Sequence, residues 1–200
     1  MNTNHKQIIS TRKIAMTAVM AAVATVLMFI SFKVPFMPSF ISLDFSDLPA
    51  LIASFTLGPW SGMAVCFVKN LVNLTQSMTG GVGELSNFII SSAFVVPAGY
   101  IYRKHRNFKS AALGSVLGAV IMAVLGLFSN YYLVYPIYTN IMPMEAILGM
   151  YKTLNPAVDN LWEALIFFNV PFTFGKGMIS AVVTLLTYKK LEPMINGRVV

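Results

Sequence analysis

The chain has 200 residues, 56% of them hydrophobic and 10% charged, with a net charge of +7 and a mean hydropathy of +0.71. A soluble domain carries about 25% charged residues, so this chain cannot clothe its own surface. A soluble enzyme, a disordered chain and a secreted scaffold are excluded, and with Cys66 as the single cysteine so are an intramolecular disulfide and a thiolate metal cage.

What remains is an all-α polytopic membrane protein, one membrane domain over 1–200. A span needs about 20 apolar residues, so six spans use about 120 and leave about 80 for loops and ends. The first span, 14–32, follows Lys6, Arg12 and Lys13. Its apolar run continues through Thr25–Ile30, where a signal peptide would give way to polar sequence, so it is a retained helix. Ala15, Ala18, Ala22 and Thr25 recur along it at helical spacing. Small residues let backbones approach closely, and a span of this chain and a partner chain both fit.

Pro35 and Pro38 make 33–43 an external loop. The second span, 45–57, opens with Asp44 and Asp47, where an acidic side chain caps the helix and complements its dipole. It ends at Gly58-Pro59, and the third occupies 60–78. Thr79-Gly-Gly-Val-Gly83 is a loop, and the fourth span, 83–102, ends in Arg103, Lys104, Arg106 and Lys109. The fifth, 111–135, is closed by Pro136; 136–157 is the longest external loop; the sixth, 159–188, ends at Lys189-Lys190.

Ten of the 14 Lys and Arg residues lie in three clusters: before the first span, after the fourth and after the sixth, where Arg198 joins Lys189 and Lys190. Cations collect in short cytoplasmic loops. Four spans separate the first two clusters and two separate the last two, so the parity closes with both termini cytoplasmic. The basic charge is a topology signal for a multi-pass protein in the lipid bilayer of the cell membrane, not a nucleic-acid footprint.

Catalytic patterns are missing. His5 and His105 lie in basic segments, far from any carboxylate at membrane depth, and no His-Glu-x-x-His pattern exists. Gly175-Lys176-Gly177 lacks both the glycine five residues earlier and the following Ser or Thr of a phosphate loop. If transport needs ATP, another chain hydrolyses it.

The polar residues inside the apolar runs carry the functional signal, because an ionisable group at membrane depth usually faces the protein interior or a cavity. Lys69, Asn73 and Gln76 share one helical face, with Asn70 and Ser77 beside it. Interhelical hydrogen bonding and ligand contact both account for that stripe. Glu84 and Asn87 open the fourth span, Asn130 stands near the external end of the fifth, and Asn169, Thr173 and Lys176 share a face in the sixth. With Asp44 these groups gather on the external half, as polar residues do in an outward-opening small-molecule pocket with aromatic walls.

Five ordered segments carry a resemblance over nearly the whole chain. They are Asp44-Phe-Ser-Asp-Leu-Pro-Ala50 with Leu57-Gly-Pro59, Lys69-Asn70, Gly80-Gly-Val-Gly-Glu-Leu-Ser-Asn87, Asn130-Tyr131 and Pro171-Phe-Thr-Phe-Gly-Lys-Gly177. With these the chain resembles the riboflavin-specific substrate-binding (S) subunits of energy-coupling factor (ECF) vitamin transporters. The resemblance implies a six-helix bundle holding riboflavin near the external face, with Asn130 and Lys176 touching the flavin. It also implies that Ala18 and Ala22 pack against the transmembrane T subunit, and that two ATPase subunits complete the complex. On this reading the chain is not an enzyme and needs no cofactor or metal; riboflavin is cargo.

The physical reading of the residues suits that cargo. A flat, largely apolar ring system suits aromatic walls, and ribityl hydroxyls need polar partners such as Lys69, Asn73, Glu84 and Asn87. One departure is Thr173, where the family often carries Asn, which changes the hydrogen-bond pattern offered to the ligand. An S subunit for thiamine or pantothenate, and a self-sufficient secondary transporter, are the alternatives.

Overall fold

The computed structural model describes residues 11–195 except 36, 39, 40, 78, 79 and 141, with side chains as far as 188. His5, Lys6 and Arg198, and the side chains of Lys189 and Lys190, lie outside the described residues. Of the described residues 81% are helical, with almost no sheet. Helix α1 covers Thr11–Phe29, α2 Asp47–Thr56, α3 Pro59–Asn73, α4 Val82–His105 and α5 Phe108–Ser129. The short helices α6, Tyr135–Tyr138, α7, Met144–Lys152, and α8, Leu161–Ala164, precede the long α9, Val170–Ile195.

Among the described residues four helical runs are long and apolar enough to cross a membrane: Thr11–Phe29, Val82–His105, Phe108–Tyr138 and Leu161–Tyr188. Helices α2 and α3 have 10 and 15 residues, or about 15 and 22 Å of axial length, short of a hydrocarbon core of about 30 Å. They double back on each other at Gly58, whose φ of 108° is open to glycine and costly for any residue with a Cβ. Pro59 then starts α3 at a position where its missing N–H breaks no helical bond.

Three expectations need correction. The segment 33–43 is not all loop: β1, Phe32–Lys33, pairs antiparallel with β2, Ser42–Leu43. Helix α7 rises within 136–157, where a loop was expected, because Ile147 and Tyr151 give it a buried face. Pro136 does not close the fifth helix, which runs on to Tyr138. The reason is a π-helical turn, Asn130–Val134, in which Tyr135 N–H donates to the Asn130 carbonyl five residues back. A proline cannot donate to the carbonyl four residues before it and its ring crowds that group; for Pro136 that carbonyl belongs to Tyr132, inside the widened turn. Pro171 repeats the arrangement. A π turn at Leu165–Asn169 ends with Val170 N–H donating to Leu165 O, and it joins α8 to α9 without a break.

Backbone approach sets the packing of the bundle. A Cβ at Gly118 would come within 2.5 Å of the Phe94 carbonyl, and one at Gly114 within 2.8 Å of the Ala98 carbonyl, so α5 lies directly on α4. The Gly114/Gly118 pair thus packs within the chain. Gly62 brings α3 as close to α2, since a Cβ there would sit 2.7 Å from Ser54 Cβ. One apolar cluster joins Ala21, Ala24, Leu51, Phe55, Val65, Phe94, Val95 and Met122. A second gathers beneath α7, from Val134, Tyr135, Ile147, Tyr151 and Leu165. On α1, Ala21, Ala24 and Thr25 face inward while Ala15, Ala18 and Ala22 are exposed.

The two ends of the bundle can be told apart. Tyr188, late in α9, hydrogen-bonds Tyr102 near the end of α4 at 3.1 Å and meets Phe108 at the start of α5. The cluster Arg103–Lys109 and the end of α9 therefore share one end of the bundle.

Candidate ligand-binding site

At the opposite end a cavity of about 410 Å³ opens between the end of α1, the β-hairpin, the start of α4, the end of α5 and the start of α9. Asp44, Asn73, Glu84, Asn87, Asn130, Asn169, Thr173 and Lys176 all line it. Eight of the nine candidate binding residues are thereby brought to one chamber from five separated segments. Two of the asparagines owe their placement to the π turns, Asn130 opening one and Asn169 closing the other. Such turns occur mostly as single insertions, frequently at functional sites.

Lys69 is the ninth, and it does not reach the cavity. Its side chain is 0% exposed, and its ammonium lies 2.5 Å from Asp47 Oδ1, 2.6 Å from Ser46 Oγ and 3.3 Å from Ser91 Oγ. The polar stripe on the third helix thus divides. Lys69 is tied into the bundle, Asn73 reaches the chamber, and Gln76 is exposed on a 3₁₀ turn, Leu74–Gln76, whose tighter winding ends the α-helical periodicity. Asp47 was expected to act as a capping carboxylate. It does open α2, but its oxygens are engaged by Lys69, by the Ser91 hydroxyl at 2.6 Å and by Lys176 at 3.5 Å.

Lys176 stands between this buried group and the chamber, 2.8 Å from Asp44 Oδ2. Asp44 Oδ1 accepts from the backbone N–H of Ser46 at 2.9 Å and from its hydroxyl. Burial alone would raise the Asp44 carboxyl's pKa; the cations Lys176 and Lys69 outweigh it and hold the group below its ordinary value. Asp44, Asp47, Lys69 and Lys176 together form a cluster with no net charge, the form in which buried ions are tolerated.

On the other wall Glu84 accepts from Asn73 Nδ2 at 3.0 Å and from Ser77 Oγ at 2.8 Å. Apolar and aromatic side chains complete the surface, including Met28, Ile90, Met122, Tyr135, Tyr138 and Phe172. Polar and apolar side chains thus share the lining, as in a small-molecule site that orients its ligand through directed donors and acceptors. Among the described residues no three His, Cys, Asp or Glu side chains converge to hold a metal.

Comparison with known proteins agrees. The family model for the substrate-specific component of ECF transporters matches residues 12–188. The chain belongs to that family. Among relatives of this S component, the riboflavin transporter RibU of Staphylococcus aureus is 34% identical over 185 residues, 92% of this chain and 93% of its own. The riboflavin transporter FmnP of Bacillus subtilis is 32% identical over 188 residues, 92% of this chain and 94% of its own. A solved structure of the S component of a bacterial ECF transporter superposes with a TM-score of 0.72 at 32% identity, covering 90% of this chain and 95% of that one.

Sequence reasoning expected aromatic walls but did not name the residues that form them in this S component, Tyr135, Tyr138 and Phe172. Tyr135 and Tyr138 flank Pro136, which was read as the end of a helix, and Phe172 is one of 15 phenylalanines with no polar mark to single it out. A usable signal was present for the tyrosines: two Pro residues, 136 and 171, each lie six or two residues after an asparagine on an otherwise unbroken apolar helix.

Proposed function

We propose that this chain is the riboflavin-binding S component of an ECF-type importer. It takes the vitamin into the chamber from outside with high affinity, and a T subunit and two ATPases, which supply the hydrolysis, pass it inward. The observation that carries this reading is the convergence of polar groups from five separated segments on one chamber of about 410 Å³, within the usual range of roughly 300–1,000 Å³ for small-molecule pockets. The names of the relatives, riboflavin transporters from two bacteria, supply the ligand. Asn130 and Lys176 address the polar edge of the ring, Asn169 and Thr173 share that face, and Asp44, Asn73, Glu84 and Asn87 serve the ribityl hydroxyls. Lys69 supports the site through Asp47.

In the membrane, the four long helices and the α2–α3 pair make six passes, the short α2 and α3 completing theirs with the flanking segments 44–46 and 74–76, and both termini and the Arg103–Lys109 connection lie on the cytoplasmic side of the plasma membrane. Exposure of Ala18 and Ala22 supports an outward role for these small residues as the contact with the T subunit. The absorbance spectrum of the purified chain tests the ligand. Co-purified or titrated riboflavin should give a yellow protein with quenched flavin fluorescence. A colourless preparation that ignores riboflavin and binds thiamine or pantothenate overturns the assignment.

A further inference from the structure

A chain of three polar side chains runs from the external helix α7 into the chamber. Tyr151, fully buried, donates its hydroxyl proton to Asn169 Oδ1 at 2.8 Å, and the Tyr135 hydroxyl lies 2.5 Å from that of Tyr151. Asn169 and Tyr135 line the chamber; Tyr151 does not, and stands behind them against Phe168 with ring centroids 5.4 Å apart. An asparagine side chain carries one accepting oxygen and one donating NH2 group, and a flip of the amide exchanges which of them faces the chamber. Here Tyr151 engages the oxygen. The end of the amide left to face the chamber is its NH2 group.

We propose that Tyr151 is a positioning residue that sets ligand specificity: it orients the Asn169 amide so that the site presents a donor, and so selects a ligand carrying a hydrogen-bond acceptor, a ring carbonyl oxygen or ring nitrogen, at that point. This deepens the flavin reading and rests on it. The placement also explains how the site works with Thr173. That residue brings a single hydroxyl, while Asn169 lies one helical turn earlier on the same face of α9's start, lining the same chamber. The π turn Leu165–Asn169 permits the arrangement, since it lets Phe168 pack on Tyr151 while its neighbour Asn169 meets both the tyrosine and the cavity. Neither tyrosine is needed to complete the apolar cluster as a hydroxyl-bearing residue; phenylalanine would fill the same volume. The hydroxyl on Tyr151 is accounted for by the amide it holds.

The test is a double-substitution cycle read by riboflavin binding to the purified full chain, with thermal unfolding of the unliganded variants as the control. Tyr151→Phe should weaken riboflavin roughly three- to tenfold, the loss expected when one hydrogen bond is no longer prepared. Asn169→Ala should weaken it at least as much, and adding Tyr151→Phe to Asn169→Ala should cost nothing further, because the hydroxyl then has no amide to orient. Asn169→Asp provides a second, independent arm. It can still accept from Tyr151 but as a carboxylate offers no donor, so it should bind riboflavin as poorly as Asn169→Ala. Additive losses in the cycle, or an Asn169→Asp protein that binds like the parent, overturn the positioning role while leaving the flavin site standing. A parent protein that does not bind riboflavin overturns the functional reading and this inference with it.

Discussion

Replacing Lys69 by methionine separates the two readings of the polar stripe on α3. The substitution keeps most of the length of the side chain and removes the charge. Its ammonium is 0% exposed and sits 2.5 Å from Asp47, so the change leaves a cluster with Asp44 and Asp47 against Lys176 alone, one uncompensated negative charge in the interior. Removing one partner of a buried pair costs about 3–5 kcal/mol, and for a domain of this size each kcal/mol lowers Tm by about 2–4 °C. Unfolding in detergent without ligand should thus fall by roughly 6–20 °C. Adding Asp47→Asn removes one charge of the opposite sign and leaves the Asp44–Lys176 pair, 2.8 Å apart, in balance; most of the lost Tm should return. The reasoning fails if Lys69→Met keeps the parental Tm and loses only riboflavin affinity, for then the lysine reaches the ligand and the burial that isolates it from the chamber is not the state that binds.

The other predictions concern the site, the contact face and the packing seam. Asn130→Ala should weaken riboflavin roughly two- to tenfold with Tm unchanged, as expected for one neutral hydrogen bond, whereas Lys176→Ala should lower both affinity and Tm because it strands Asp44; titration and thermal unfolding together check the contrast. Ala18→Leu and Ala22→Leu should leave Tm and riboflavin binding intact and abolish co-purification with a T subunit, and a loss of Tm in the isolated chain would show instead that these alanines pack within it. Gly118→Leu should leave little folded protein by size-exclusion chromatography, because its side chain would need space that the Phe94 carbonyl occupies.

Much of this could be read from the residues, and the failures share a cause. Period and composition are local properties, so the long apolar helices and the polar positions Asn130, Asn169 and Lys176 were visible. The chain does not announce how far a polar group travels before it meets a partner. Lys69 and Asn73 lie on one helical face, yet the first ends against Asp47 and the second in the chamber, because Asp47 comes from α2, which only the doubled-back turn at Gly58 brings alongside. One proline misled for a related reason. Pro136 would stop an α-helix if the preceding turn kept its i→i−4 bonding, but that turn widens, as does the one before Pro171, through which the sixth span was read without a break. The same widening presents the site's asparagines, so the feature that defeated the reading is the one that builds the site.

The structure also bears on the proposal that partner subunits move the cargo of this chain. The chamber lies against Asn87 on α4, and Gly99 lies 12 residues further along, about 18 Å nearer the basic end at 1.5 Å per residue. There the helices touch backbone to backbone. A Cβ at Gly99 would overlap Ser54 Oγ, which is itself bonded to the Val95 carbonyl at 2.6 Å, and Gly114 and Gly118 seat α5 on α4 with no room for a methyl group. Rotamer changes cannot open a passage through contacts made by backbone atoms; helices would have to separate, exposing the Ser54–Val95 bond and the cluster around Phe55, Phe94 and Val95. Interiors packed this closely resist gradual deformation. A path through the middle of the isolated chain is thus disfavoured, which supports the proposal that this component captures the ligand while others supply the work.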